Sequence, residues 1–212
     1  GNTEVTTTVT DNDTETTLTL NNVDVDEGAG TATISATLSH APTDGPLEIA
    51  LDNGATITFG TDYVAGTEVN STPFTIQGDD VYIDGEDFTV GATVTSGGTE
   101  FENLNVNDTA TVTVSDTTDT VTVSLSASDS VAEDGTITYT ASLSDANGDA
   151  ATANNAITVT LANGEQITID ADSSAGEITV NAPADDAYVT GAITNSIVSA
   201  TEANAGQANA LE

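Results

Sequence analysis

Val112-Thr113-Val114-Ser115-Asp116-Thr117-Thr118-Asp119-Thr120-Val121-Thr122-Val123 is the stretch that decides the fold of this chain. Apolar and hydroxyl residues alternate on both sides of a short acidic step. Alternation with period two marks a strand with one face buried. The step has a carboxylate at each end, Asp116 and Asp119, and no Gly or Pro to turn the chain back. It is too short to be a flexible tether. The stretch therefore reads as a taut joint between two β-domains.

The pattern recurs upstream. Thr8-Val9-Thr10-Asp11 matches Thr113-Val114-Ser115-Asp116, and Leu18-Thr19-Leu20 matches Val123-Ser124-Leu125, both at an offset of 105 residues. Leu38-Ser39 and Leu143-Ser144 keep that offset. Asn53-Gly54 pairs with Asn163-Gly164, and Asp79-Asp80 with Asp185-Asp186, after small insertions. A repeat of this size is one immunoglobulin-sized unit. The expected domains are residues 14–117 and 118–212, with residues 1–13 as the last strand of a preceding repeat. On that frame the second repeat lacks a counterpart of residues 109–115. The N-terminal strand, residues 5–10, is then expected to fill the open edge of the second repeat in another molecule, head to tail.

Within repeat one the alternation places strands near 16–21, 31–39, 46–51, 55–59, 74–77, 86–95 and 109–115. The inward residues are expected to include Ala32, Ile34, Ala36 and Leu38, then Leu47, Ile49 and Leu51. Ile57, Phe59, Phe88, Val90, Ala92, Val94, Ala110, Val112 and Val114 complete that set. Repeat two contributes Val121, Val123, Leu125, Ile137, Tyr139, Ala141, Leu143, Ile157, Val159, Leu161, Ile167 and Ile169. The outward partners are mostly Thr and Ser, which suit strands. The fold class is all-β: two tandem immunoglobulin-like antiparallel β-sandwiches arranged end to end.

Charge narrows the function. The 212 residues hold 35 Asp plus Glu, one His, no Lys and no Arg, for a formal net charge of −35. A carboxylate here must be solvated, hydrogen-bonded or bound to a cation. Nucleic acid is excluded as a partner on electrostatic grounds, and anionic membrane surfaces are disfavoured. No apolar run is long enough to enter and span a bilayer. There is no Cys to form a disulfide. A hydrophobic fraction of 37% set at alternate positions is enough for a core, which separates the chain from disordered acidic tails.

The acids concentrate in loops. Alternating strand direction puts Asp26-Glu27-Gly28, Asn53-Gly54, Asp79-Asp80 and Asp116 at one end of repeat one. It puts Asp145-Ala146-Asn147-Gly148-Asp149 and Asp170-Ala171-Asp172 at the facing end of repeat two, beside Asp119. Facing carboxylates repel by about 1–4 kcal/mol per close pair at 4 Å. Ca²⁺ relieves this, because it takes irregular sets of oxygens, whereas Zn²⁺ wants His or Cys. Asp145-x-Asn147-x-Asp149 and Asp11-x-Asp13-x-Glu15 have the opening spacing of a calcium loop. The first lacks the later Gly and Glu of an EF-hand. Each alone is equally a pair of solvated turn acids.

Val25-Asp26-Glu27-Gly28-Ala29-Gly30-Thr31-Ala32-Thr33 resembles the opening of a Calx-β-type domain. Thr61-Asp62-Tyr63-Val64 and Gly78-Asp79-Asp80-Val81-Tyr82-Ile83-Asp84-Gly85-Glu86-Asp87-Phe88 resemble two further motifs of that domain. The tandem repeat as a whole is similar to the extender repeats of giant bacterial RTX (LapA-like) adhesins. In repeat two Glu133-Asp134-Gly135 and Asp185-Asp186 survive, but Asp84-Gly85-Glu86 becomes Thr190-Gly191-Ala192. The resemblance implies Ca²⁺ between repeats, with Glu27, Asp79, Asp80, Asp116 and Asp119 as ligands by position. Asp11, Asp13, Asp145, Asp149, Asp185 and Asp186 are further candidates. It also implies type I secretion, an extracellular place on the bacterial surface, and a spacer role in adhesion and biofilm formation.

An enzyme is not expected: there is no Cys, Lys or Arg, and no Gly-x-Ser-x-Gly elbow. His40 reads as a turn residue at a strand end. The rival reading is a carbohydrate- or protein-binding module, with Tyr63, Tyr82 and Tyr188 as contacts unless they are core or corner residues.

Overall fold

The computed structural model describes residues 3–4, 6–9, 14–188 and 191–211. Two compact units emerge, each with its own apolar core. Unit 1 is Gly1–Gly78 with Gly85–Ser115; unit 2 is Asp79–Asp84 with Asp116–Glu212.

The described residues are all β except for one 3-10 turn, Gly98–Glu100. Unit 1 holds β1 (Glu15–Leu20), β2 (Val23–Asp26), β3 (Thr31–Ala32), β4 (Ser35–Leu38), β5 (Leu47–Leu51) and β6 (Thr56–Phe59). It continues with β7 (Val69–Asn70), β8 (Phe74–Thr75), β9 (Glu86–Val90), β10 (Ala92–Ser96), β11 (Asn103–Asn105) and β12 (Ala110–Ser115). Unit 2 holds β13 (Thr122–Ala127), β14 (Thr136–Ser144), β15 (Ile157–Leu161), β16 (Gln166–Ile169), β17 (Ala175–Asn181) and β18 (Ile197–Glu202).

In unit 1 the sheets are β11-β1-β4-β7, β10-β5-β6, β2-β12-β9 and the short pair β3-β8. Alternation is visible strand by strand. In β12 Ala110, Val112 and Val114 are buried while the Thr and Ser between them are not. Phe59, Leu18, Ile34, Leu38, Leu47, Ile49 and Ile57 have lost all contact with solvent. Each such side chain stabilises by about 1.5–3 kcal/mol relative to exposure. Tyr63 closes one corner: its ring meets Phe59 edge-on at 4.9 Å, and its hydroxyl accepts from Leu38 N–H and donates to Thr67 O.

Some strands differ from the expectation. The run 86–95 is two strands, not one. It breaks at Gly91, so that β9 pairs with β12 and β10 with β5. Gly91 N–H donates to Asp52 Oδ2 at 3.1 Å, and a Cβ there would have to push that exposed carboxylate aside from 2.7 Å. The expected single strand 31–39 likewise divides into β3 and β4. Of the expected strand at 5–10, residues 6–9 form none, and Val5 and Thr10 lie outside the described residues.

Unit 2 is the sheets β13-β14-β17 and β16-β15-β18. Both units keep the same hairpin, in which Gly54 (φ 87°) and Gly164 (φ 89°) take the left-handed conformation that a side chain resists. Gly54 N–H donates to Leu51 O, and Gly164 N–H to Leu161 O, each at 2.9 Å. Unit 2 also takes in residues 79–84. Ile83 N–H donates to Ala210 O at 3.0 Å, and Asn209 N–H to Ile83 O at 2.7 Å. Tyr82 bridges to Leu211, and its hydroxyl donates to Thr152 O at 2.6 Å. The chain therefore passes between the units three times, after Gly78, Asp84 and Ser115.

Candidate metal centre

The candidate centre grows from the register of the sheet β2-β12-β9. β12 runs parallel to β2, with Val114 beside Val25 and Ser115 beside Asp26. The next step of that ladder is made: Glu27 N–H donates to Ser115 O at 2.9 Å. β12 runs antiparallel to β9, with Val112 beside Phe88 and Val114 beside Glu86. Two residues further along, chain continuity brings Asp116 beside Glu27 on one side and Asp84 on the other. Asp84 N–H donates to Asp116 Oδ1 at 3.3 Å.

Parity then fixes the face. Val23, Val25 and Glu27 alternate onto one side of β2, and Val112 and Val114 onto the same side of β12, which is the core side. So the row Glu27–Asp116–Asp84 stands where the next apolar rung would be. The three residues form an acidic group able to hold a metal ion. Glu27 is only 3% exposed, and Gln77 Nε2 donates to its Oε2 at 3.3 Å. Gly28, in the left-handed conformation at φ 73°, turns the chain away directly after it, and Gly28 N–H donates to Gln77 O at 3.1 Å.

Burying a carboxylate is costly without a compensating charge, and the sequence contains no Lys or Arg to supply one. A row of carboxylates spaced by one strand separation suits an ion that takes oxygens from irregular positions. An all-oxygen donor set is that of a hard cation rather than of Zn²⁺.

The other candidates lie as follows. Asp79 Oδ1 accepts from Thr117 Oγ1 at 2.5 Å. Asp80 Oδ1 accepts Tyr82 N–H at 2.9 Å, capping the segment that enters unit 2. Asp119 is half-buried. Asp145 Oδ1 accepts the N–H groups of Asn147 and Asp149, both at 2.9 Å, so one of its oxygens is committed to a local turn. Asp149 is exposed. Asp185 and Asp186 are exposed, and Asp186 Oδ1 accepts Tyr188 N–H at 2.6 Å. Asp11 and Asp13 lie outside the described residues.

Asp84 was not among the residues picked from sequence. Its signal was present in the ladder that pairs Glu86 with Val114, but that register is visible only once β9 is known to stop at Gly91. The tyrosines divide. Tyr63 and Tyr82 are held by hydrogen bonds within their units, and Tyr188 is 82% exposed. Burial raises the Tyr82 phenol above its ordinary pKa, with Asp80, Asp172 and Glu202 adding to the effect.

A family model, the LapA domain, matches residues 6–117 and 119–210. The chain belongs to the LapA-domain family. It is thus two tandem LapA-domain repeats of an adhesin-related, surface-associated protein, and the family is not one of enzymes. Among the described residues no helix is long and apolar enough to cross a membrane. No curated protein matches the chain. Among solved structures, a two-domain protein of unknown function from Bacteroides fragilis is 9% identical, with a TM-score of 0.33, over 79% of this chain and 80% of that one. The apo structure of Bacteroides uniformis β-glucuronidase 3 is 16% identical, with a TM-score of 0.26, over 77% of this chain and 21% of that one. Likeness at that level carries no argument about function.

Proposed function

We propose that these LapA-domain repeats are a spacer in a secreted, cell-surface bacterial adhesin, and that Ca²⁺ stiffens the joint between them. The observation that carries the reading is the row Glu27–Asp116–Asp84 at the end of the β2-β12-β9 sheet. It falls where the chain leaves unit 1 at Ser115 and re-enters it at Gly85. An ion bound to that row pins two of the three chain crossings. Asp79, Asp80 and Asp119, in the segments that flank those crossings, are further candidate ligands in this reading.

Acid-only composition supports the same reading. With a formal charge of −35 the folded chain repels itself, and external divalent ions relieve that repulsion only where carboxylates converge. Binding to the native state alone stabilises by mass action. In the adhesin, such joints would let a string of repeats project a ligand-binding tip from the cell and support biofilm formation. Small-angle scattering with and without chelator tests this. Calcium should give a single, longer profile, and EGTA a broader and shorter one; identical profiles and identical melting curves would refute it.

A further inference from the structure

Unit 2 contains a groove of about 530 Å³ whose walls include residues 128–133 and 191–195. The repeat offset says what it is. The 105-residue offset sets 128–131 against β2. β18 meets β15 through Ile197 and Leu161 as β10 meets β5 through Ala92 and Leu51, so 191–195, just before β18, stand in the place of β9, one residue off the sequence pairing of Asp84-Gly85-Glu86 with Thr190-Gly191-Ala192. In unit 1 those two strands are the outer members of a three-stranded sheet, and β12 lies between them. In unit 2 neither segment is in a strand, and nothing among the described residues lies between them. The groove is the slot of β12.

Burial agrees. β12 supplies Ala110, Val112 and Val114 to core 1, none of them more than 3% exposed. In unit 2 the matching floor is Leu125 and Tyr139, and the rims keep apolar side chains in solvent: Val131 is 39% exposed and Ile193 50%. Ile193 is the counterpart of Phe88, which in unit 1 is covered and pairs with Val112.

The chain carries a strand of the right pattern that is unused. Thr6-Thr7-Thr8-Val9 corresponds to Thr111-Val112-Thr113-Val114 of β12. Residues 6–9 form no strand, and Val9 is 89% exposed. No carboxylate falls between Glu4 and Asp11. This neutral stretch can therefore enter an acidic domain without bringing charge to it.

We infer that the groove of unit 2 is a strand-acceptor site, and that its occupant is the segment around residues 6–9 of a second copy of this chain. That segment runs antiparallel to 191–195 and parallel to 128–131, as β12 does to its neighbours. Main-chain hydrogen bonds give the affinity, and the alternate positions 7 and 9 face the floor. The contact is heterologous, so each copy has one donor and one acceptor. It does not depend on the calcium reading.

The test uses the full chain, measured by light scattering across a wide concentration range in both calcium and EGTA. The parent chain should associate as its concentration rises. Val9→Asp removes the donor, and Ile193→Asp removes the acceptor. Both positions are exposed, so both variants should fold as the parent does, and each alone should associate at least about tenfold more weakly. Mixing them should restore a one-to-one complex that grows no further, because Ile193→Asp keeps its donor and Val9→Asp keeps its groove. A parent that stays monomeric at every concentration would overturn the inference. So would variants that assemble like the parent, or a mixture that forms no pair. Loss of the calcium response with assembly intact would count against the calcium reading alone.

Discussion

Replacing Glu27 by Gln should change the stability of this protein in opposite directions with and without calcium. Neighbouring strands lie about 4.8 Å apart, so carboxylates in one row across β2 and β12 are separated by about 5 Å. At an effective dielectric constant near 20, two charges at that distance repel by about 3 kcal/mol. Glu27 is 3% exposed and has two such neighbours, Asp116 and Asp84, each with a carboxylate oxygen within 4.8 Å. Solvent around the half-buried Asp116 lowers the figure, so Glu27→Gln should relieve about 1–3 kcal/mol in the chelated protein. The amide keeps the size of the side chain and can still meet the amide of Gln77.

With calcium bound, the same change removes an anionic ligand. The attraction lost is comparable to the repulsion relieved, which weakens the ion by about 10- to 100-fold. Differential scanning calorimetry decides the matter. In EGTA the variant should unfold about 4–24 °C above the parent, given about 4–8 °C per kcal/mol for a unit of this size. In excess calcium it should unfold below the parent. Asp145→Ala serves as a control: Asp145 Oδ1 accepts two backbone N–H groups, so its loss should destabilise with the same sign in both buffers. Glu27→Gln shifting the transition in one direction regardless of calcium would refute the account of the row.

Two further outcomes follow from the packing. Gly176→Ala should selectively destabilise unit 2 by several kcal/mol, because its Cβ would stand 2.1 Å from the Thr168 carbonyl oxygen, a backbone atom with nowhere to go; two resolved calorimetric transitions would show it, and an unchanged unit 2 transition would contradict it. Tyr82 should titrate above the ordinary tyrosine value because of burial, with the neighbouring acids adding to it. Its pKa is raised on folding, so the stability it lends is complete below the unfolded value near 10 and is lost as pH climbs through the folded one. Tyr82→Phe should flatten that alkaline loss in a pH series of melting curves.

Most of the sandwich was legible because burial on one face imposes a two-residue period. Leu38, Leu47, Ile49, Ile57, Phe59, Val112 and Val114 all fall on the buried side, and the matching turns at Gly54 and Gly164 recur because only a left-handed residue closes them. What alternation could not show was where a strand changes sheet. Phe88 to Val94 keeps perfect alternation through Gly91, yet there the backbone N–H and C=O both bond to Asp52, and the chain pairs with β12 before that point and with β5 after it. Period reports the face of a strand, not its neighbour.

That difference decides the acidic centre as well. Spacing along the chain singled out Asp145-x-Asn147-x-Asp149, a stretch whose first carboxylate is committed to its own turn, whereas Glu27 and Asp116 came from the family resemblance. Glu27, Asp84 and Asp116 have no spacing motif at all. They lie just beyond the ends of three different strands and share a row only through two registers, one parallel and one antiparallel. Asp84 enters the row because β9 begins at Glu86 and pairs that residue with Val114; a slip of one residue in either ladder would turn a carboxylate to the opposite face. A metal centre of this kind is a property of strand pairing. It should therefore tolerate changes in its loops while failing on any insertion between Phe88 and Asp84, even one that leaves all three acids in place.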